Sequence, residues 1–197
     1  MISNTSREST VKKFDEFNAD DRVSIKLLEN HTFYLSGEID EDTVNDCIRW
    51  IIYENLDTAK EKVLTLYINS TGGDLYTAFA LIDMIKSSRH PIRTIGIGAV
   101  MSAAFLIFAC GTKNERYAAK NTSFMCHQFS TGVEAKYHDI KAEMKENESL
   151  NNKMVLILKE ATNLSPSVIK KKLLPASDVY LTAEEVVELG IADNILE

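Results

Sequence analysis

The chain alternates short runs rich in β-branched and aromatic residues with segments whose apolar residues recur at helical spacing. Val23-Ser24-Ile25-Lys26-Leu27 and Thr32-Phe33-Tyr34-Leu35-Ser36 predict two short strands around a turn at Glu29-Asn30-His31, with Gly37 ending the second. Val44, Cys47, Ile48, Ile51 and Ile52 predict a helix between Asp40 and Tyr53. Val63-Leu64-Thr65-Leu66-Tyr67-Ile68 follows as a strand, and Leu75, Ala78, Phe79, Ile82 and Ile85 form a helical stripe that stops before Pro91. From Thr94 to Gly111 the chain is apolar around a central hydroxyl. Its left half alternates glycine with β-branched residues as a buried strand does, its right half is alanine-rich as a buried helix is, and Ser102 sits at the join. Strand, helix, strand, helix in this order implies βαβ units and a largely parallel sheet covered on both faces.

In the second half, Tyr117-Ala118-Ala119 and Ser123 to Phe129 predict strands, the latter carrying His127 near its end. From about Val133 to Thr162 there is neither Gly nor Pro, which predicts a single helix of about 29 residues, or ~43 Å. A globule of 197 residues has a radius of gyration of only ~16 Å, so this helix must project. Its apolar residues, Ile140, Met144, Leu150, Met154, Val155, Ile157 and Leu158, thicken toward the C-terminal half, and the simplest cover is another copy of the chain. Ser165-Pro166 opens a short helix ending in Lys170-Lys171-Lys172, Asp178 to Leu181 predicts a short strand, and Thr182-Ala183-Glu184-Glu185 is a capping box for a helix ended by Gly190. Ile191 to Leu196 closes the chain as an edge strand. Residues 1–21 are polar and read as an arm, leaving residues 22–197 as one domain.

Composition narrows the classes. A net charge of −7 and a pI near 5.2 disfavour nucleic acid as a partner. No apolar run reaches the ~20 uncharged residues of a membrane span, and the first residues carry no apolar signal core. Cys47, Cys110 and Cys126 are odd in number and widely spaced, as expected of reduced thiols rather than of disulfides or a metal site. A cytoplasmic protein without a metal is expected.

Three features carry chemistry. A serine at a strand-to-helix turn lies beside unpaired first-turn amides, either as a plain helix cap or as a nucleophile. Gly72-Gly73, at the carboxyl end of a strand, serves either a tight turn or the backbone donors of an oxyanion hole. His127 is either a hydrogen-bonded strand residue or a base. Alternation along the strand points Cys126 and His127 to opposite faces, so these two cannot form a dyad.

Taken together, Asn69-Ser70-Thr71-Gly72-Gly73, Ser102 before a small apolar helix, Met125-Cys126-His127-Gln128, and Tyr180-Leu181-Thr182-Ala183-Glu184-Glu185 before Gly190 resemble the proteolytic subunit of the Clp protease. Gly73 stands 29 residues before Ser102 and His127 25 residues after it, as in that family. The resemblance implies an α/β crotonase-like spiral of βαβ units with a long protruding handle helix at about residues 133–162, preceded by a pore segment or propeptide over residues 1–21. It implies Ser102 as nucleophile, His127 as general base, Asp178 as the carboxylate that orients His127, and the backbone N–H groups of Gly73 and Ala103 as oxyanion donors. It further implies a serine endopeptidase subunit, acting on unfolded proteins inside a chamber of two stacked seven-membered rings. An AAA+ unfoldase feeds that chamber and uses the ATP, with no cofactor in this chain. Positions resembling the family's docking pockets for the ATPase ring are Thr65, Tyr67, Ser87, Ile95, Ile97, Tyr117, Ala119 and Leu196.

The chain departs from the family pattern at Ser102-Ala103-Ala104, where the family has Ser-Met-Gly, at Thr71 in place of proline, and at Phe129-Ser130-Thr131-Gly132, where a Pro and a Gly-Gly pair are usual. Rival readings are a non-catalytic ring subunit, or a crotonase-type acyl-CoA hydratase or isomerase with Asp74 as the nearest acid. A serine-lysine peptidase would need a lysine base, and Lys120 is the nearest.

Overall fold

In the computed structural model, which describes residue 14 and residues 17–56, 61–130, 132 and 136–196, helices and strands alternate largely as the pattern predicts. The elements are α1 (Ala19–Glu29), β1 (Thr32–Ile39), α2 (Glu41–Leu56), β2 (Leu64–Gly73), α3 (Leu75–Ser87), β3 (Ile92–Met101), α4 (Ala103–Ala109), β4 (Arg116–Ala119), β5 (Ser123–Cys126), α5 (Tyr137–Thr162), α6 (Pro166–Lys172), β6 (Val179–Leu181), α7 (Ala183–Glu188) and β7 (Asn194–Leu196). Most of the arm expected over residues 1–21, and residues 133–135 of the expected handle helix, lie outside the described residues.

The strand expected over Val23 to Leu27 is instead part of α1. Asn18 caps that helix by accepting from the Asp21 N–H, and Asp20 and Asp21 sit at its positive end. At the other end, Asn30 returns its side-chain N–H to the Lys26 carbonyl. No residue of α1 is buried, so local capping rather than packing selects the helix over the alternating pattern.

Among the described residues seven strands form one sheet in the order β1-β2-β3-β4-β7, with β5 on β3 and β6 on β5. Every pairing is parallel except β5 with β6, which gives the α/β architecture expected. On one face Leu64, Leu66, Ile68, Ile92 and Val100 are buried in the same core as Phe105, Leu106 and Phe108 of α4. Thr94 Oγ1 donates to the Phe108 carbonyl at 2.9 Å, bonding that helix to the sheet. The other face is not covered as expected: Thr65, Tyr67 and Asn69 are half-buried, and Tyr34 is 45% exposed. β2 places polar Thr65 and phenolic Tyr67 together, whereas a strand sandwiched between two helical layers is apolar on both sides.

α5 runs for 26 residues, about 39 Å, and its first half is exposed. Most of the apolar surface of its C-terminal half is covered by its own chain rather than by the second copy expected. Met154, Val155 and Leu158 join the core of their own chain with α4 and α6, and Leu150 is buried with them. The apolar residues left exposed are Tyr137, Ile140, Met144 and Leu156.

Arg116, whose side chain is only 4% exposed, ties β4, α4 and α5 to the segment before β7. Its Nε and Nη2 donate to Asp193 at 2.9 and 2.7 Å, and its Nη1 donates to the carbonyls of Ala109 and Ala161. Burial acts to raise the Asp193 pKa, but the hydrogen bonds and charge of Arg116 hold it below the ordinary carboxylate value. Asp193→Ala leaves the guanidinium buried and unpaired, and an equilibrium unfolding series should show a loss of about 3–5 kcal/mol. Because the folded pKa is depressed, that contribution is complete above the ordinary carboxylate range and is lost as pH falls through the folded value, so the gap between wild type and variant should narrow in acid.

Candidate active site

β3 ends at Met101 and α4 begins at Ala103, leaving Ser102 as the whole connection. So abrupt a turn forces Ser102 to φ 53° and ψ −121°, a strained setting for a residue with a Cβ. Its N–H donates to the Met125 carbonyl at 2.8 Å, which clamps the turn against β5. The hydroxyl makes no cap bond to α4, so the plain capping reading is not met. Instead Oγ lies 2.8 Å from His127 Nε2.

The register of β5 explains that meeting. Met125 stands opposite Met101 on the parallel β3, while Phe124, Met125 and Cys126 stand opposite Leu181, Tyr180 and Val179 on the antiparallel β6. The next positions on that ladder are His127 and Asp178. Opposed residues on antiparallel strands project to the same side, so the register that brings His127 to Ser102 also brings Asp178 behind it. His127 Nδ1 is 3.5 Å from Asp178 Oδ1, longer than a hydrogen bond, and the Asp178 side chain is 53% exposed. Cys126 points away into the core, where burial pushes its thiol up to about 12 and makes it a poor nucleophile. Lys120 is exposed. Asp74 caps α3, its Oδ1 accepting from the Thr77 N–H at 2.7 Å and the Thr77 hydroxyl at 2.6 Å.

Gly72 and Gly73 are not a detached loop but the last residues of β2, with Gly73 opposite Ile39. A Cβ on Gly72 would lie 2.7 Å from Ser102 Cβ and 3.1 Å from the Ala103 nitrogen, and one on Gly73 would lie 2.3 Å from the Ile39 carbonyl oxygen. The strand end therefore reaches the serine and the first amide of α4 only because it has no side chains. As the first residue of α4, Ala103 has no carbonyl within the helix to receive its N–H. The end of β3 is placed by a bulge: Ile68 pairs with Gly96 but Ser70 with Val100, and Asn69 Oδ1 accepts from the Ala99 N–H at 3.1 Å.

A cavity of about 370 Å³ opens on these groups. Gly73, Ser102, Ala103 and His127 form one wall, and Glu143, Asn147, Leu150 and Met154 of α5 contribute to the lining. A larger cavity of about 580 Å³, between α1 and the end of α2, contains none of the candidate catalytic residues. The α5 residues escaped the sequence reading as site residues. Their spacing marks a single helical face, but no signal in the sequence says that this face looks at Ser102. Among the described residues no cluster of His, Cys, Asp and Glu is disposed to hold a metal ion.

A family model for Clp protease matches residues 16–197. The chain belongs to the Clp protease family. It is 31% identical over 189 residues to an ATP-dependent Clp protease proteolytic subunit 2 of Treponema denticola, covering 95% of this chain and 92% of that one. A proteolytic subunit 2 of Mycobacterium leprae is 31% identical over 87% of this chain and 80% of its own, and a proteolytic subunit 1 of Rhodococcus jostii is 32% identical over 87% and 77%. The α/β architecture described above is thus that of the Clp proteolytic fold. No helix among the described residues is long and apolar enough to cross a membrane. Since Gly72 has φ 101° and no room for a methyl group against Ser102, Gly72→Ala should slow capture of Ser102 by a fluorophosphonate at least about 100-fold and lower the thermal midpoint, read by mass spectrometry and calorimetry on one preparation.

Proposed function

We propose that this chain is a serine endopeptidase subunit of a compartmentalised ATP-dependent protease, with Ser102 as nucleophile, His127 as general base and Asp178 as the orienting carboxylate. The approach of Ser102 Oγ to His127 Nε2 at 2.8 Å, on the wall of a cavity, is the observation that carries this reading. With hydrogen on Nδ1, Nε2 accepts the hydroxyl proton as Oγ attacks the peptide carbonyl carbon. The negative charge that develops on the carbonyl oxygen is received by the N–H groups of Ala103 and Gly73, each such donor contributing roughly 2.7–4 kcal/mol to lowering the barrier. His127 then gives the proton to the departing amine, and water releases the acyl group by the same route. Asp178 opposes the imidazolium charge, and its 3.5 Å separation is of the kind that shortens when substrate binds.

The assembly proposed with it is a cytoplasmic double ring of seven identical subunits per ring that receives unfolded proteins from an AAA+ unfoldase, with ATP used there and no cofactor in this chain. Exposed Tyr137, Ile140 and Met144 on the first half of α5 support a contact between rings. Tyr67, Ile95 and Tyr117 stand side by side in register on the open sheet face, with Leu196 paired to Ala119 at its edge, which supports docking of apolar unfoldase segments there.

A fluorophosphonate should label the native protein and leave Ser102→Ala unlabelled. His127→Ala should react at least about 1000-fold more slowly, and Asp178→Asn by up to about 10,000-fold. Equal labelling of native protein and Ser102→Ala would leave only the non-catalytic and hydratase readings. Native mass measurement should give a large double ring that Met144→Glu reduces to smaller species; a monomer at micromolar concentration would refute the assembly.

A further inference from the structure

We infer that Glu143, with Asn147, gives this site a preference for long basic or uncharged side chains immediately before the cleaved bond and excludes acidic ones. The inference rests on the peptidase reading above and names its substrate class. The cavity beside Ser102 has two chemically distinct zones. Its apolar part includes Leu150 and Met154, each 4% exposed, together with Phe129, and suits the methylene stem of a long side chain. Its polar part carries Asp74, Glu143 and Asn147, and no Lys or Arg among the described residues lines it.

Glu143, Asn147, Leu150 and Met154 follow one another at helical spacing along one face of α5, so the apolar zone grades into the acidic one along a single wall. Of the two acids, Asp74 is engaged as the α3 cap, whereas Glu143 has no hydrogen-bond or ion-pair partner among the described residues. Nearby, the Tyr76 hydroxyl donates to Glu146 at 3.2 Å. The phenol is held above its ordinary pKa by partial desolvation, by that hydrogen bond, and by the charges of Glu146, Glu143 and Asp74. Three carboxylates thus act on one part of the wall. Two neighbouring lysines are turned elsewhere, Lys141 over the Tyr137 ring and Lys153 over the Phe79 ring. A cationic head group entering this zone meets uncompensated negative charge, and a carboxylate meets repulsion.

The test uses peptidyl diphenyl phosphonates that differ only in the residue presented to the cavity, a lysine, leucine or glutamate analogue, with a plain fluorophosphonate as reference. With the diphenyl phosphonates the serine oxygen bonds to phosphorus and phenoxide leaves with the hydroxyl proton; with the fluorophosphonate the same bond forms and fluoride leaves with the proton. On the full-length assembled protein at low salt, the lysine and leucine analogues should label Ser102 at least about tenfold faster than the glutamate analogue. Glu143→Gln should bring the lysine and glutamate rates within about threefold, Glu143→Lys should invert their order, and added salt should narrow the native difference. Normal fluorophosphonate labelling with equal lysine and glutamate rates, or a rate ratio untouched by both Glu143 variants, overturns the inference and leaves the peptidase reading standing. No labelling by any of the reagents overturns both.

Discussion

The site depends on the placement of one four-residue strand. β5 is held on one side by β3, which ends at the serine, and on the other by β6, which begins beside Asp178. Side chains alternate faces with a period of two, so a slip of a single residue would present the Cys126 thiol where the imidazole stands and turn His127 away. Phe124 guards against that slip. It is fully buried, and its ring centroid lies 6.5 and 5.2 Å from those of Phe105 and Phe108 on α4, the helix that starts immediately after Ser102. Aromatic packing in the core and hydrogen-bonded register at its rim therefore specify the same geometry, and neither alone reaches all three groups.

α5 joins two roles along its length. Its exposed first half carries the apolar residues suited to contact between copies, while the stripe from Glu143 to Met154 contributes to the cavity lining and continues into the core. The two sets overlap within a turn of helix, with Met144 next to Glu143. A rigid helix cannot move one set without moving the other, so the contact proposed between copies would be mechanically linked to the shape of the pocket.

Much of this was legible in the chain. The serine at the strand-to-helix join, the histidine near the end of a later strand, the alternation that separates Cys126 from His127, and the overlong helix each follow from local periodicity. Asp178 was legible only through family resemblance. Its partner lies 51 positions earlier, and the ladder that pairs them is set by tertiary packing that no local pattern encodes. Val23 to Leu27 misled because a five-residue alternation carries less weight than a capping asparagine followed by two aspartates at a helix start. The buried half of α5 misled for a related reason: apolar density announces that a surface is covered, not which surface covers it. The open sheet face reversed the expectation of two covering layers because Thr65 and Tyr67 share a side that the sum of hydrophobicities conceals.

Ser102 holds a backbone conformation in which glycine would rest more comfortably than any residue with a side chain. The hydroxyl proposed as the nucleophile is thus carried at a position that opposes it, and the surrounding fold must supply the stability that this residue withholds. A glycine there would relax the turn and remove the proposed nucleophile in the same step, so on this reading the variant without the hydroxyl is the easier one to fold.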